Sequence, residues 1–131
     1  MIRMKATSRF DRKKVRRRAA EGSFRSLGHA GAALRLTARR SIRRSGMPSR
    51  PGQPPHTRRG QLKRALRYAA DKSRERVLIG PAYTVVGRSA AAHEFGGRYR
   101  RDTYPKRPFM GPALMKIRSR LPRMWADSIR P

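Results

Sequence analysis

The chain has no cysteine, only seven acidic residues against 35 lysines and arginines, 7% aromatics and no long apolar run. Without cysteine there is neither a disulfide framework nor a thiolate-ligated metal site, and the redox compartment stays open. No apolar stretch approaches the roughly 20 residues that a membrane helix needs. The opening "MIRMKATSRFDRKK" has no apolar core of a secretory signal, so the chain is expected to be soluble and unprocessed, with no membrane partner. Few aromatics leave little surface for stacking bases. The shortage of acids has the largest consequence: a formal net charge of +28 must be relieved by a polyanion or by an acidic protein surface.

What is present amounts to one small domain. The 131 residues suit a single core, and the apolar content of 37% makes that core modest. Residues 1–67 carry 21 basic and 2 acidic residues and residues 68–131 carry 14 and 5, so the net charges are +19 and +9. The excess is graded along the chain and is not confined to a tail. Arginine outnumbers lysine 28 to 7. That bias suits bidentate recognition of phosphate or carboxylate, and a GC-rich genome would produce it equally.

Hydrophobic spacing predicts a long first helix. Ala20, Phe24, Leu27, Gly31, Leu34, Ala38 and Ile42 step by three or four residues along one face. Asp11 or Ser8 would cap its start, Gly46 and Pro48 would stop it, and a kink or break near Gly28 is plausible. Four prolines between residues 47 and 57 predict an extended arm. Leu62, Leu66 and Ala69 fit a short helix or a helix running into a strand. Val77-Leu78-Ile79 and Tyr83-Thr84-Val85-Val86 read as two short paired strands. Ser89 would cap a short helix closed by Gly96-Gly97, and "RYRRDTYPKRP" reads as a loop or irregular hairpin. The last helix is expected to begin near Pro112, with Met110, Leu114, Ile117, Leu121, Trp125 and Ile129 as its apolar stripe. Pro122 would kink it or restart it. The expected architecture is α+β: a long N-terminal helix and a C-terminal helix packed on a small antiparallel sheet of three or four strands, with the proline-rich arm projecting. Its parts are residues 1–46, 47–59 and 60–131.

The residues offer little for catalysis. His29, His56 and His93 are scattered, and His93-Glu94 lacks the second histidine of a zinc-protease helix. The serines show no nucleophile elbow and the glycines no phosphate-cradling loop. No cofactor and no enzymatic activity are expected. Nucleic-acid binding has better support in "DRKKVRRR", a run suited to tracking a phosphate backbone, although zinc-finger, basic-zipper and RNA-recognition signatures are missing. Arg12, Lys13, Lys14, Arg16, Arg17 and Arg18, with Arg39, Arg40, Arg43 and Arg44, are therefore candidate contacts to DNA or to an acidic partner.

Taken in order, "PGQPPHTRRGQLKRAL", "VLIGP", "AAAHEFGG" and "YPKRPFMGPAL" resemble the small neck and tail-completion proteins of tailed bacteriophages, also known as virion-morphogenesis or minor tail proteins. The resemblance covers about residues 51–125. It rests on a proline–glycine arm, a threonine–glycine–x–leucine segment matched at Gly60 to Leu66 with Arg58 and Arg59 between Thr57 and Gly60, a strand ending at Gly80, an alanine-rich helix ending in Glu94-Phe95-Gly96, and the helix start Arg107 to Leu114. The chain departs from the family pattern at Arg58 and Arg59, at Ala65 and in its unusually basic first helix. The resemblance implies a non-enzymatic virion component at the head–tail junction or upper tail end, acting as a ring subunit and made in the host cytoplasm. Its partners would be copies of itself, other neck, adaptor, tail-terminator or tail-tube proteins, and packaged DNA. Candidate subunit contacts are Pro51, Pro54 and Pro55 in the arm, Glu94, Phe95, Gly96 and Gly97 at the helix end, and Arg107, Pro108, Phe109 and Leu114 beyond it. Glu94 would take a charge-assisted hydrogen bond from an arginine of the same loop or of a neighbouring subunit, or be solvated at its helix end; Phe109 would serve an interface or the core. The alternative reading is a general DNA- or RNA-binding protein of nucleoid or ribosome-associated type.

Overall fold

The computed structural model describes residues 4–5 and 9–129. Helix α1 spans Arg12–Ser41 without a break. Asp11 caps it, its Oδ1 accepting from the Lys14 N–H at 3.1 Å; Ser8, the other expected cap, lies outside the described residues. The helix continues unbroken through Gly28, where an added Cβ would meet nothing; the glycines in close contact are Gly22 and Gly31. A Cβ at Gly31 would sit 2.7 Å from Val77 Cγ2 and 2.8 Å from Tyr68 Cδ2, and one at Gly22 would collide with the Ser128 carbonyl. These glycines allow two other segments to approach the helix.

The expected stripe is buried at Gly31, Leu34, Ala38 and Ile42 but not at Ala20, Phe24 and Leu27. Over that first stretch the buried positions are Gly22, Ser26 and Ala30 instead. The reason is tertiary: the C-terminal segment lies there, with Ser26 Oγ donating to the Met124 carbonyl at 2.7 Å. The helix also stops before Gly46, at Ile42, whose extended backbone and fully buried side chain turn the chain into strand β1, Arg43–Arg44.

Strand β1 pairs in parallel with β2, His56–Thr57. The proline-rich segment between them does not project as an arm. His56 Nδ1 bonds the Met47 carbonyl at 2.8 Å, the Gly52 N–H donates to the Lys106 carbonyl at 2.7 Å, and Ser49 and Pro55 are buried. Gly46, Met47 and Pro48 and the tip from Arg50 to Gln53 remain exposed to solvent. A chain rich in proline has few N–H groups to satisfy, so a few hydrogen bonds and one buried ring suffice to fold it back.

Helix α2, Gln61–Ala65, runs directly into β3, Leu66–Asp71, which pairs antiparallel with β4, Arg76–Pro81. Asp71 ties the turn, its Oδ1 accepting from the Ser73 N–H and hydroxyl and from the Arg74 N–H. Strand β4 thus pairs with the preceding segment and not with the expected second strand after Gly80-Pro81. Tyr83–Val86 forms a helical turn, α3, despite its β-branched residues. Helix α4, Ser89–Phe95, begins after Arg88; Ser89 Oγ donates to the Val86 carbonyl at 2.6 Å and so is not a cap acceptor. The following loop is a hairpin of β5, Gly97–Tyr99, and β6, Asp102–Tyr104.

Helix α5 starts two residues before Pro112 and covers Met110–Ile117. Two 3-10 turns follow, Arg118–Arg120 and Pro122–Met124, and Pro122 restarts the chain at the first position of the second. Of the expected apolar stripe only Ile117 is fully buried; Leu114 and Ile129 are exposed. The fold is α+β, with α1 packed between α5 and the β3–β4 hairpin. Among the described residues the strands form three separate two-stranded ladders and are not gathered into one sheet. The core joins Leu34, Ala38 and Ile42 of α1 to Leu62, Leu66, Ala90, Phe109, Ala113 and Ile117.

Candidate subunit interface and cationic surface

The first cluster is built around the end of α4. The α5 helix has Phe109 at its cap position, a side chain that cannot accept from the free N–H groups of the first turn. Glu94 supplies the acceptor from another element. Its Oε2 accepts from the N–H groups of Phe109 at 2.8 Å and Met110 at 2.9 Å, and its Oε1 accepts from Gly111 at 2.9 Å. A carboxylate also suits the positive end of the helix dipole. Within the described residues no arginine bonds Glu94; its half-buried carboxylate is taken up by backbone N–H groups of the next helix.

Backbone contacts complete the joint. The Arg107 N–H donates to the His93 carbonyl at 2.7 Å, and Arg107 Nε donates to the buried Ser49 carbonyl at 2.8 Å. Gly96, at φ +73°, passes so near Lys106 that a Cβ would lie 3.2 Å from its nitrogen. Thus Glu94, Gly96, Arg107 and Pro108 meet, and the proline loop is tied to the same corner. Phe109, 1% exposed, belongs to the core of this subunit, as Pro55 does to the loop beneath it.

Phe95 points the other way and is 76% exposed. It borders a groove of about 310 Å³ lined by Ile79, Pro81, Tyr83, Ala91 and Met110, with Tyr83 69% exposed. Leu114, one turn beyond Met110, is also open to solvent. The sequence did not single out Tyr83, because as a strand residue it would not have faced Phe95.

His93 sits behind this joint, edge-on to Tyr104 with ring centroids 5.4 Å apart. Burial, and then the charge of Arg107, hold its pKa below the usual imidazole value. Its Nδ1 is buried with no hydrogen-bond partner. No group of three or more histidines, aspartates or glutamates among the described residues is arranged to hold a metal, and no described helix is long and apolar enough to cross a membrane.

The second cluster is cationic. Arg12, Lys13, Lys14, Arg16, Arg17 and Arg18 are exposed on the first two turns of α1, where the helix extends past the core. Arg40, Arg43 and Arg44 are exposed at its far end, Arg39 is half-buried, and Arg44 Nε donates to the Arg58 carbonyl at 3.3 Å. The two groups are therefore separated by most of the helix. Lys116, Arg120 and Arg123 escaped the sequence reading, although their steps of four and three mark one helical face. Comparison with protein-family models, curated proteins and solved structures finds no match for this chain.

Proposed function

We propose that this chain is a non-enzymatic structural subunit of a tailed-phage virion, acting as a ring component at the neck or upper tail end in tail completion or head–tail joining. The observation that supports this reading is the joint at Glu94. The pieces of sequence that carry the resemblance, "HEFGG" and "RPFMGPAL", serve one structural purpose: a carboxylate from α4 caps α5 and leaves Phe95 exposed beside an apolar groove. A large exposed aromatic beside a groove is what a protein contact needs and what a solitary soluble subunit would avoid. Closed rings need two different surfaces on each subunit. In this reading the Phe95 groove is one and the Pro51 tip of the proline loop belongs to the other.

Mass spectrometry of nuclease-treated particles, scaled to the major capsid protein, tests the proposal. A handful of copies per particle is expected; absence from particles overturns it. The net charge of +28 favours a second reading, a general polyanion-binding protein. That reading gives no reason for the Phe95 groove, and recovery of the chain solely in the nucleic-acid fraction would favour it.

A further inference from the structure

The tertiary structure arranges the cations of α1 in a way that their sequence clusters do not show. Lys14, Arg18, Arg25, His29, Leu36 and Arg40 step by 4, 7, 4, 7 and 4, an eleven-residue period that keeps a straight line on one side of a helix. All six are exposed. From Lys14 to Arg40 this row is roughly 39 Å long at about 1.5 Å per residue.

A second row lies beside it. The chain after Ala113 runs antiparallel to α1, with Met124 bonded to Ser26 and Ser128 against Gly22. That course brings Lys116, Arg120 and Arg123, all exposed, alongside the first row. Two clefts open between the rows. One, of about 430 Å³, has Arg25 and His29 on one wall and Arg123 on the other. The second, of about 260 Å³, has Arg40 facing Lys116 and Arg120. Asp127 is the one carboxylate that lines either cleft. None of these lysines and arginines forms an ion pair among the described residues, where the one salt bridge joins Arg76 to Asp71.

We propose that this two-rowed seam takes the phosphate backbone of duplex DNA. The seam is a line, and a duplex is a linear polyanion with one charge per roughly 1.7 Å of axis. An acidic protein would be met by a compact patch with apolar anchors at its centre and charges at the rim. Along the α1 row Leu36 is the single large apolar residue. Arginine forks suit phosphodiester oxygens on both sides of a backbone strand. This assignment does not depend on ring assembly: copy number in particles tests the ring, whereas salt dependence of DNA binding tests the seam.

The test is fluorescence anisotropy of a mixed-sequence duplex of about two helical turns, titrated at several salt concentrations with the full chain. Three proteins are compared: the wild type, K116Q/R120Q/R123Q, and the control R74Q/R98Q/R101Q, which loses the same charge from exposed positions that line neither cleft and lie outside α1. Each lost phosphate contact lowers the slope of log K against log salt by about 0.9. The seam triple is expected to lower it by roughly 2 to 3 and the control by less than about one. Equal losses in the two triples, no salt-dependent binding by the wild type, or poly-glutamate competing as well as duplex at equal charge would each overturn the proposal. Acetylation footprinting needs no variant: duplex should protect Lys14 and Lys116 and leave Lys72 and Lys106 reactive, and uniform protection would also overturn it.

Discussion

The joint between α4 and α5 and the first two turns of α1 are both helical, but for opposite reasons. At the joint, three N–H groups find one carboxylate, the preceding aromatic is buried, and the backbone of Arg107 is bonded to His93. At the start of α1, residues 12–18 bury nothing, and the pairs Arg12–Arg16, Lys13–Arg17 and Lys14–Arg18 set like charges one turn apart. Each such pair opposes the helix by roughly 0.2–0.5 kcal/mol. Only the Asp11 cap and continuity with the packed half favour helix there. One helix start is held by the rest of the molecule and the other extends past it, so contact with a polyanion would relieve the second and leave the first unaffected.

The strongest test of that contrast is Glu94→Ala. It strands three donors at once, and a loss of about 3 kcal/mol is expected in urea unfolding, from the usual cost of removing a charged acceptor. A loss below about 0.5 kcal/mol would show that the α5 start does not rely on Glu94. Next comes a pair on α1. Gly31→Val drives a side chain into Val77 and Tyr68 and should cost about 1–3 kcal/mol. Gly28→Ala, with open space around it, should gain up to about 1 kcal/mol in the same experiment. If both behave alike, the hairpin does not pack on α1 as closely as described.

The pH dependence sharpens the comparison further. The folded-state pKa of His93 is lowered from its ordinary 6.5 by burial and by Arg107. Below that ordinary value the unfolded chain binds the proton and the folded one resists it, so stability is full above about pH 6.5 and falls as the pH drops through the window beneath it. Urea midpoints measured from pH 7.5 to 5 should decline, and His93→Gln should flatten this decline if the histidine is its source. The smallest effect is expected from Arg16→Gln with Arg17→Gln: stability should change by less than about 0.5 kcal/mol, with a slight rise in helicity by circular dichroism. A large destabilisation would mean that the first turns of α1 are packed after all.

Much of this was legible in the residues. The apolar steps from Gly31 to Ile42, the Asp11 cap and the Val77–Ile79 strand each follow from local pattern. Tyr83–Val86 was misread because β-propensity depends on context: the partner of β4 is Leu66–Asp71, earlier in the chain, and the Val85 and Val86 N–H groups turn back to the Ala82 carbonyl instead of entering a ladder. Glu94 was recognised as unusual, but its partners are backbone N–H groups 15 to 17 residues away, which no side-chain pattern reveals. Pro55 was read as a contact and Phe109 as either a contact or a core residue, because proline and aromatic residues serve surfaces and cores equally; only the packing shows both to be buried.

By itself, then, the sequence determined the class of the fold, the long first helix and the net charge of +28, since these follow from periodicity and composition that no packing can alter. Tertiary structure decided which carboxylate caps α5, which aromatic stays outside, and which cations share a seam. Those outcomes depend on the approach of segments distant in the chain: Gly22 and Gly31 allow neighbours to lie against α1, and the C-terminal turns then bring Lys116, Arg120 and Arg123 beside Arg25 and Arg40.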